Sequence, residues 1–167
     1  MTFLGAHKLK LSQHIFTCTD NQSRSTSSAI VQLNSTIYTQ QNYFNYTPTV
    51  STTDDRITLP AGKYYLESAL SVKKAAGGTW NIEYYWRSYD SSSATYTTLG
   101  HEGRENGMIN IGNPYKNQIA TAYIESGSSI KLTIWAEGSS SYVINPTDAY
   151  TVPNYGGKSR LAVWRIE

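Results

Sequence analysis

Apolar residues recur at every second position along several segments of this chain, and this alternation constrains its fold more than any other feature. A two-residue period places successive side chains on opposite faces of a β-strand, so that one face is buried while the other meets solvent. Residues 64–72, 80–87 and 130–136 therefore predict three amphipathic strands. Their expected buried faces carry Tyr64, Leu66, Leu70 and Val72, then Trp80, Ile82, Tyr84 and Trp86, then Ile130, Leu132 and Ile134.

The rest of the sequence supports the same fold class. No segment of about 11 residues or more keeps apolar residues at helical spacing, and turn signals recur every 8–15 residues. The composition agrees, because 14 of the 167 residues are Tyr and only 16% are charged. These observations predict an all-β sandwich or barrel with very little helix. The length suits one domain, which we place at residues 27–167, after an N-terminal arm and polar loop at residues 1–26.

Turn-forming residues predict how the strands connect. Gly and Ser turns near residues 73–78 and 125–128 predict two hairpins, each pairing the strand before the turn with the strand after it. Two stretches rich in Ser, Thr and Gly, residues 90–113 and 139–157, are expected to be long loops, the first with a short strand near residues 108–111. Residues 161–166 are expected to form the closing strand.

Large aromatic residues are expected on the outward faces of the strands as well as in the core. If the apolar sets face inward, Tyr65, Tyr85, Trp135 and Trp164 lie outward beside charged residues. Such rings are typical of subunit interfaces, where they bury area while their polar tips stay hydrogen-bonded. We therefore predict that these four residues belong to a subunit interface. Two alternatives stay open: loops of the same chain cover the rings, or the rings are flat platforms for sugars.

Charge and hydropathy exclude several classes of partner. The formal net charge is +2, and Lys and Arg are scattered instead of forming a stripe, so we expect no nucleic-acid partner. The longest apolar runs span a few residues, far fewer than the roughly 20 that cross a membrane as a helix. The first residues contain no apolar segment of signal-peptide length. We therefore expect no membrane partner and synthesis in a cytoplasm.

Groups that could carry catalysis are sparse. The three histidines lack the spacing of a metal site, and the Gly-x-Ser-x-Gly motif of hydrolases is absent. Cys18 is the single cysteine, so no intrachain disulfide can form. Asp54 and Asp55 are adjacent on an extended segment and point to opposite faces, which disfavours a shared calcium ion or a catalytic carboxylate pair. We predict no catalytic residue, no metal site and no cofactor.

Two segments resemble a known family. Residues 57–66 (ITLPAGKYYL) are similar to the apolar-x-x-Pro-x-x-Gly-x-Tyr strand motif of C1q and tumour-necrosis-factor jelly rolls, with one residue fewer between Pro60 and Gly62. Residues 159–166 (SRLAVWRI) resemble the final strand of many bacteriophage fibre heads and decoration proteins. The resemblance runs over residues 27–167, and no collagen-like stalk precedes it. It implies a jelly-roll β-sandwich.

The resemblance also implies a function. Jelly rolls of this type suggest a homotrimer that packs through an aromatic inner sheet, and relatives in virions suggest a non-enzymatic capsid decoration or cement protein. The partners would be the major capsid protein or another virion component, and the location would be the virion. Two rivals remain: a tail-fibre head that binds a receptor or host glycan through the long loops, and a small jelly-roll hydrolase. The expected capsid anchor comprises Phe3, Leu4, Lys8, Leu9, Lys10 and Leu11.

Overall fold

A computed structural model describes residues 11–25, 27–41, 44, 46–75, 80–107, 114–116, 119–146 and 158–166. Within these ranges all regular secondary structure is β-strand, which confirms the all-β prediction. The strands are β1 (Ser12–Cys18), β2 (Gln22–Arg24), β3 (Ala29–Ile30), β4 (Leu33–Gln41), β5 (Thr49–Ser51), β6 (Arg56–Leu59), β7 (Gly62–Ala69), β8 (Ser71–Lys74), β9 (Trp80–Asp90), β10 (Thr95–Gly107), β11 (Pro114–Lys116), β12 (Ala120–Ser126), β13 (Ile130–Gly138), β14 (Tyr142–Ile144) and β15 (Arg160–Arg165).

The main sheet folds back on itself as a jelly-roll sandwich. Its strand order is β4-β1-β15-β7-β12-β10-β9-β13-β6-β5, and β3 pairs with β13. We call β4, β1, β15, β7 and β12 the front layer, and β10, β9, β13, β6 and β5 the back layer. The layers are joined at one side by the pairing of His101 in β10 with Thr121 in β12. At the other side β4 and β5 approach each other, so the sheet is nearly closed.

The core lies between the two layers. The strands bury alternate side chains as the sequence predicts, although Ile130 is half-buried and the Trp80 side chain lies outside the described ones. Burial of one Leu or Ile side chain stabilises the fold by roughly 1.5–3 kcal/mol, so this layer of side chains supplies most of the stability. Its central members are Phe16, Tyr64, Leu66, Tyr84, Trp86, Ile124, Leu132, Ile134, Leu161 and Val163.

The two predicted hairpins are wrong. β7 pairs with β12 and β15, whereas β9 pairs with β10 and β13, so the chain between β7 and β9 passes from the front layer to the back layer. β12 and β13 also lie in different layers. An alternating strand buries the same face whether its partner follows directly or comes from elsewhere in the chain. Periodicity therefore predicts the buried face but not the neighbouring strand.

The predicted loop over residues 90–113 is wrong for residues 95–107, which form β10 and pair with β9. The turn between them is short because the Asp90 carboxylate accepts hydrogen bonds from the Ser92 backbone N–H at 2.8 Å and from the Ser93 hydroxyl at 2.8 Å. Ala94 completes the turn with a φ of 54°. Residues 108–113 lie outside the described residues, and the second expected loop contains β14.

The prediction of an arm and loop over residues 1–26 misses β1 and β2. β1 lies inside the front layer between β4 and β15. Its buried positions carry Ser12, His14, Phe16 and Cys18, so only one inward residue is a large hydrophobe and the apolar alternation is weak. Residues 1–10 of the expected arm lie outside the described residues.

A second, small sheet has the order β11-β8-β14-β2. Asn145, which is fully buried with a φ of 52°, ties this sheet to the main one. Its amide nitrogen donates to the Cys18 carbonyl at 3.2 Å and to Asp20 at 2.6 Å, and its amide oxygen accepts from the Ser159 backbone N–H at 2.8 Å.

Within the described ranges, the chain has no helix with the length and apolar character needed to cross a membrane.

Candidate interaction surfaces

The outward surface of the front layer, here called the front face, carries a row of aromatic side chains. Tyr65 in β7 is paired with Tyr123 in β12 on one side and with Trp164 in β15 on the other. Gln13 in β1 pairs with Trp164 and lies at the end of this aromatic row. The alternating burial of β7 and β12 places the neighbours of these rings in the core, so the rings themselves point away from it.

Exposed hydrophobic side chains of the described residues gather on the front face. Four large hydrophobic residues are exposed in the described part of the chain: Tyr38 (56%), Tyr65 (38%), Ile119 (47%) and Tyr123 (58%). All three tyrosines lie on the front face. Tyr38 lies there because it pairs with Ile15, which points outward from β1. Ile119 immediately precedes β12. Exposed hydrophobic residues gathered on one face of a soluble protein mark an interaction surface.

Charged groups accompany these rings. Arg160 and Glu67 form an ion pair with an N–O distance of 3.6 Å, and Lys63 and Glu125 form one of 3.9 Å. All four residues belong to β7, β12 or β15. An aromatic centre with polar neighbours matches the composition of a protein–protein interface.

The outward surface of the back layer also carries aromatic rings, but arginine side chains cover them. The Arg87 guanidinium carbon lies 4.8 Å from the centre of the Tyr85 ring and 4.6 Å from that of the Trp135 ring. Tyr85 is only 7% exposed, and its hydroxyl donates to Glu137 at 3.3 Å. The Trp135 indole N–H donates to the Thr133 hydroxyl at 3.0 Å.

A second arginine covers the neighbouring part of the back layer. The Arg56 guanidinium carbon lies 3.6 Å from the centre of the Tyr89 ring, and its Nη2 donates to the Tyr96 hydroxyl at 3.1 Å. Its Nη1 contacts Asp54 at 3.1 Å, so the charge is also paired. Stacked arginines of this kind stabilise a sheet surface within one chain. The outward aromatic rings of the back layer are therefore covered by arginine side chains of the same chain.

The structure thus divides the four predicted interface residues between two opposite surfaces. Tyr65 and Trp164 lie together on the front face, whereas Tyr85 and Trp135 lie together on the back layer. Sequence reasoning missed Tyr38 and Tyr123 on the front face. The alternation of Ala122 and Ile124 with Tyr123 contains the signal for the second of these, but Tyr38 follows a polar segment with no clear period.

Cys18, Asp54 and Asp55, the candidate reactive groups in the described residues, are buried or engaged in structural contacts. Cys18 is fully buried, and burial followed by the nearby charges of Asp55 and Asp20 raises its pKa to about 12, so the thiol is not a nucleophile at neutral pH. Asp54 pairs with Arg56, and Asp55 accepts a hydrogen bond from the Leu33 backbone N–H at 2.9 Å. The described residues include no group of three or more His, Cys, Asp or Glu side chains suited to a metal ion.

Most of the predicted capsid anchor cannot be placed. The first five members lie outside the described residues, while Leu11 is half-buried directly before β1. The five are Phe3, Leu4, Lys8, Leu9 and Lys10.

Comparison with solved structures connects this geometry with a known fold. The structure is similar to Eiger TNF from S. frugiperda, with a TM-score of 0.61 and 12% sequence identity over 93% of this chain and 92% of that one. The chain has a TNF-like jelly-roll fold. It is also similar to murine APRIL at pH 8.0, with a TM-score of 0.57 and 9% identity over 93% of this chain and 99% of that one. At these identities the similarity concerns the fold.

No protein-family model matches the sequence, and no curated protein matches it. The jelly roll predicted from residues 57–66 is confirmed by the TNF-like fold, in which these residues run from β6 into β7. At this junction the Tyr64 hydroxyl donates to the Pro60 carbonyl at 2.9 Å, which explains why a Tyr follows the turn.

Proposed function

We propose that this chain is a non-enzymatic module that works as a homotrimer assembled through its front face. The observation that carries the proposal is the location of Tyr38, Tyr65 and Tyr123, which are exposed on the front face. These rings are between 38% and 58% exposed, so a partner that covers them removes further aromatic area from water and stabilises the association. The covered rings of the back layer leave the front face as the preferred contact surface.

The stoichiometry of three follows from the resemblance of the sequence to C1q and tumour-necrosis-factor jelly rolls, which implies a homotrimer. A threefold assembly uses two different parts of each subunit at every contact, and the front face offers two such parts. Tyr38 on β4 lies near one edge of the layer, and Tyr123 on β12 lies at the other. In the proposed trimer, the β12 side of one subunit meets the β4 side of the next.

A pair of matched variants tests this assembly by sedimentation equilibrium. Tyr123→Glu places a charge in the proposed contact and is expected to yield a monomer with an unchanged far-ultraviolet circular dichroism spectrum. Thr98→Glu is the control, because Thr98 is exposed on the back layer opposite Arg87 and should leave the trimer intact. An intact trimer in Tyr123→Glu, or dissociation in Thr98→Glu, contradicts the proposed surface.

Within this proposal, the trimer decorates a viral capsid. The support is the resemblance to virion decoration domains, together with an N-terminal segment that combines Phe3, Leu4, Leu9 and Leu11 with Lys8 and Lys10. The test is co-sedimentation with capsids encoded by the same genome, comparing the full chain with a chain that begins at residue 11. Binding of the full chain alone supports an N-terminal anchor, whereas failure of the full chain to bind contradicts the decoration role.

Glycan binding is the competing function, and one observation favours it. The Tyr65 and Trp164 rings, with centroids 5.6 Å apart, and the exposed Tyr123 ring form a surface that could stack against a sugar. This use requires the front face to stay free, so it conflicts with a trimer built there. A monomeric chain that binds a glycan array, and loses binding in Tyr123→Ala, would favour this function over the proposed one.

A further inference from the structure

His14 occupies an unusual position for a titratable residue. It lies on β1 in the middle of the front layer, paired with Val163 of β15 and Thr39 of β4, and it is 2% exposed. Its Nδ1 lies 3.0 Å from the Thr39 hydroxyl oxygen. Its Nε2 is buried and has no hydrogen-bond partner among the described residues.

The groups packed around His14 are neutral or positive. The Tyr46 ring meets the imidazole edge-on at a centroid distance of 4.7 Å, and Tyr64 of β7 lies 5.8 Å beyond Tyr46. Arg165 of β15 places its guanidinium carbon 5.0 Å from the centre of the Tyr46 ring. β4 contributes the Thr39 hydroxyl, while its Tyr38 ring points outward. No carboxylate of a described residue forms an ion pair with His14.

This environment accommodates a neutral imidazole but not an imidazolium. A neutral ring that carries its proton on Nδ1 donates it to the Thr39 hydroxyl and leaves Nε2 without a proton, whereas a protonated ring carries an N–H at both nitrogens. The second N–H would be buried without an acceptor, and the new charge would lie near a second cation, because His14 and Arg165 both contact the Tyr46 ring. Burial accordingly lowers the pKa of His14 below its ordinary value of 6.5.

The neighbours of His14 connect it to the front face. Gln13 and Ile15 flank it on β1 and point outward, Gln13 beside Trp164 and Ile15 beside Tyr38. Any loosening of β1 against β4 therefore displaces groups on the proposed contact surface. Among the strands of the described residues, β4 pairs only with β1 in the main sheet, so it depends on this packing.

We propose that His14 makes the trimer acid-sensitive: protonation of this buried imidazole loosens β1 and β4 and separates the subunits. The proposal rests on assembly through the front face. The sign follows from linkage. A base whose folded pKa is lowered leaves stability intact above its unfolded pKa, near 6.5, and stability falls as pH drops from there toward the folded pKa. Each pKa unit of difference between the two states lowers the ratio of folded to unfolded subunits about tenfold once the pH is below both pKa values.

The experiment measures solution mass and thermal unfolding midpoint at pH 7.5 and pH 5.0 with matched ionic strength. The unmodified chain is expected to be trimeric at pH 7.5, and to dissociate with a lowered midpoint at pH 5.0. His14→Gln, which keeps a polar group near Thr39, and His14→Phe, which keeps a ring, should each lose most of this pH dependence. His101→Gln is the control, since His101 is exposed on β10 and should retain it.

The outcomes separate this inference from the proposed function. A chain that is trimeric at both pH values with unchanged midpoints overturns the acid switch and leaves the trimer standing. Equal pH dependence in the unmodified chain and in both His14 variants also overturns it. A chain that is monomeric at both pH values contradicts the trimer, and the proposed separation of subunits falls with it. If one His14 variant fails to fold, the other supplies the comparison.

Discussion

Tyr65 on β7 and Trp164 on β15 are cross-strand partners whose ring centroids lie 5.6 Å apart, with their planes tilted by 43°. Neither residue belongs to the core, because Leu66 and Val163 beside them fill the space between the layers. The pair therefore creates a continuous aromatic area on the outside of the protein. With Tyr123 on the other side of Tyr65, it forms the centre of the front face.

Replacement of Trp164 should weaken association more than folding. Trp164→Ala removes the larger ring of the pair from the proposed contact, and a central aromatic residue typically contributes about 2 kcal/mol or more to binding. We expect roughly a thirtyfold weaker subunit association by sedimentation equilibrium. Trp135→Ala, which removes a ring from the back layer, is the matched control and should leave association unchanged. Equal weakening in both variants would argue against the front face.

Arg87 should stabilise the back layer through its contacts with Tyr85 and Trp135. Arg87→Ala removes both ring contacts, so we expect a loss of about 1 kcal/mol in the free energy of unfolding. Trp135 should also become easier to quench with acrylamide. Urea unfolding and tryptophan quenching measure the two effects, and Arg87→Lys should fall between the variant and the unmodified chain. Unchanged quenching in Arg87→Ala would show that the arginine does not cover the ring.

Gly100 permits the close approach of β10 to β12 where the layers join. Its φ is +64°, and a Cβ there would meet the Thr121 carbonyl oxygen and lie 2.6 Å from the Ala122 Cβ. Gly100→Ala is therefore expected to lower the free energy of unfolding by about 2 kcal/mol or more. Gly127→Ala is the control, since a Cβ at that glycine has no atom within 4 Å. Urea titration of both variants measures their free energies of unfolding. Equal values for Gly100→Ala and Gly127→Ala would show that β10 and β12 do not pack closely at Gly100.

Asp90 should stabilise the β9–β10 turn only when it is ionised. Hydrogen bonds from the side chain and the backbone of Ser92 hold the pKa of Asp90 below its usual 3.8. For a carboxylate with a lowered folded pKa, the stabilisation is present above pH 3.8 and is lost as pH falls through the folded value. Asp90→Ala should therefore lower the thermal midpoint at pH 7 but change it much less at pH 2.5. Equal effects at both pH values would exclude a role for the ionised carboxylate.

The sequence predicted which faces are buried more accurately than which strands pair. The inward sets that contain Leu66, Tyr84 and Ile134 are buried, because a two-residue period depends only on local geometry. The partners of those strands depend on how the chain crosses between layers, which a local pattern does not record. The sequence did not predict β1 because its inward residues Ser12 and His14 are polar. Their burial depends on hydrogen-bond partners far along the chain.

The sequence predicted which aromatic residues of the candidate site point outward, but not which of them are covered by other side chains. Outward positions of Tyr65 and Trp164 follow from the alternation of their strands, and so do those of Tyr85 and Trp135. Only the three-dimensional placement of Arg87 shows that Tyr85 and Trp135 are covered by a side chain of the same chain.

The central claim is that the chain assembles through its front face, and the mass of the purified chain in solution tests it most directly. Multi-angle light scattering at neutral pH should give about 56 kDa, three times the 18.6 kDa of the chain. A mass of 18.6 kDa across the accessible concentration range would contradict the account.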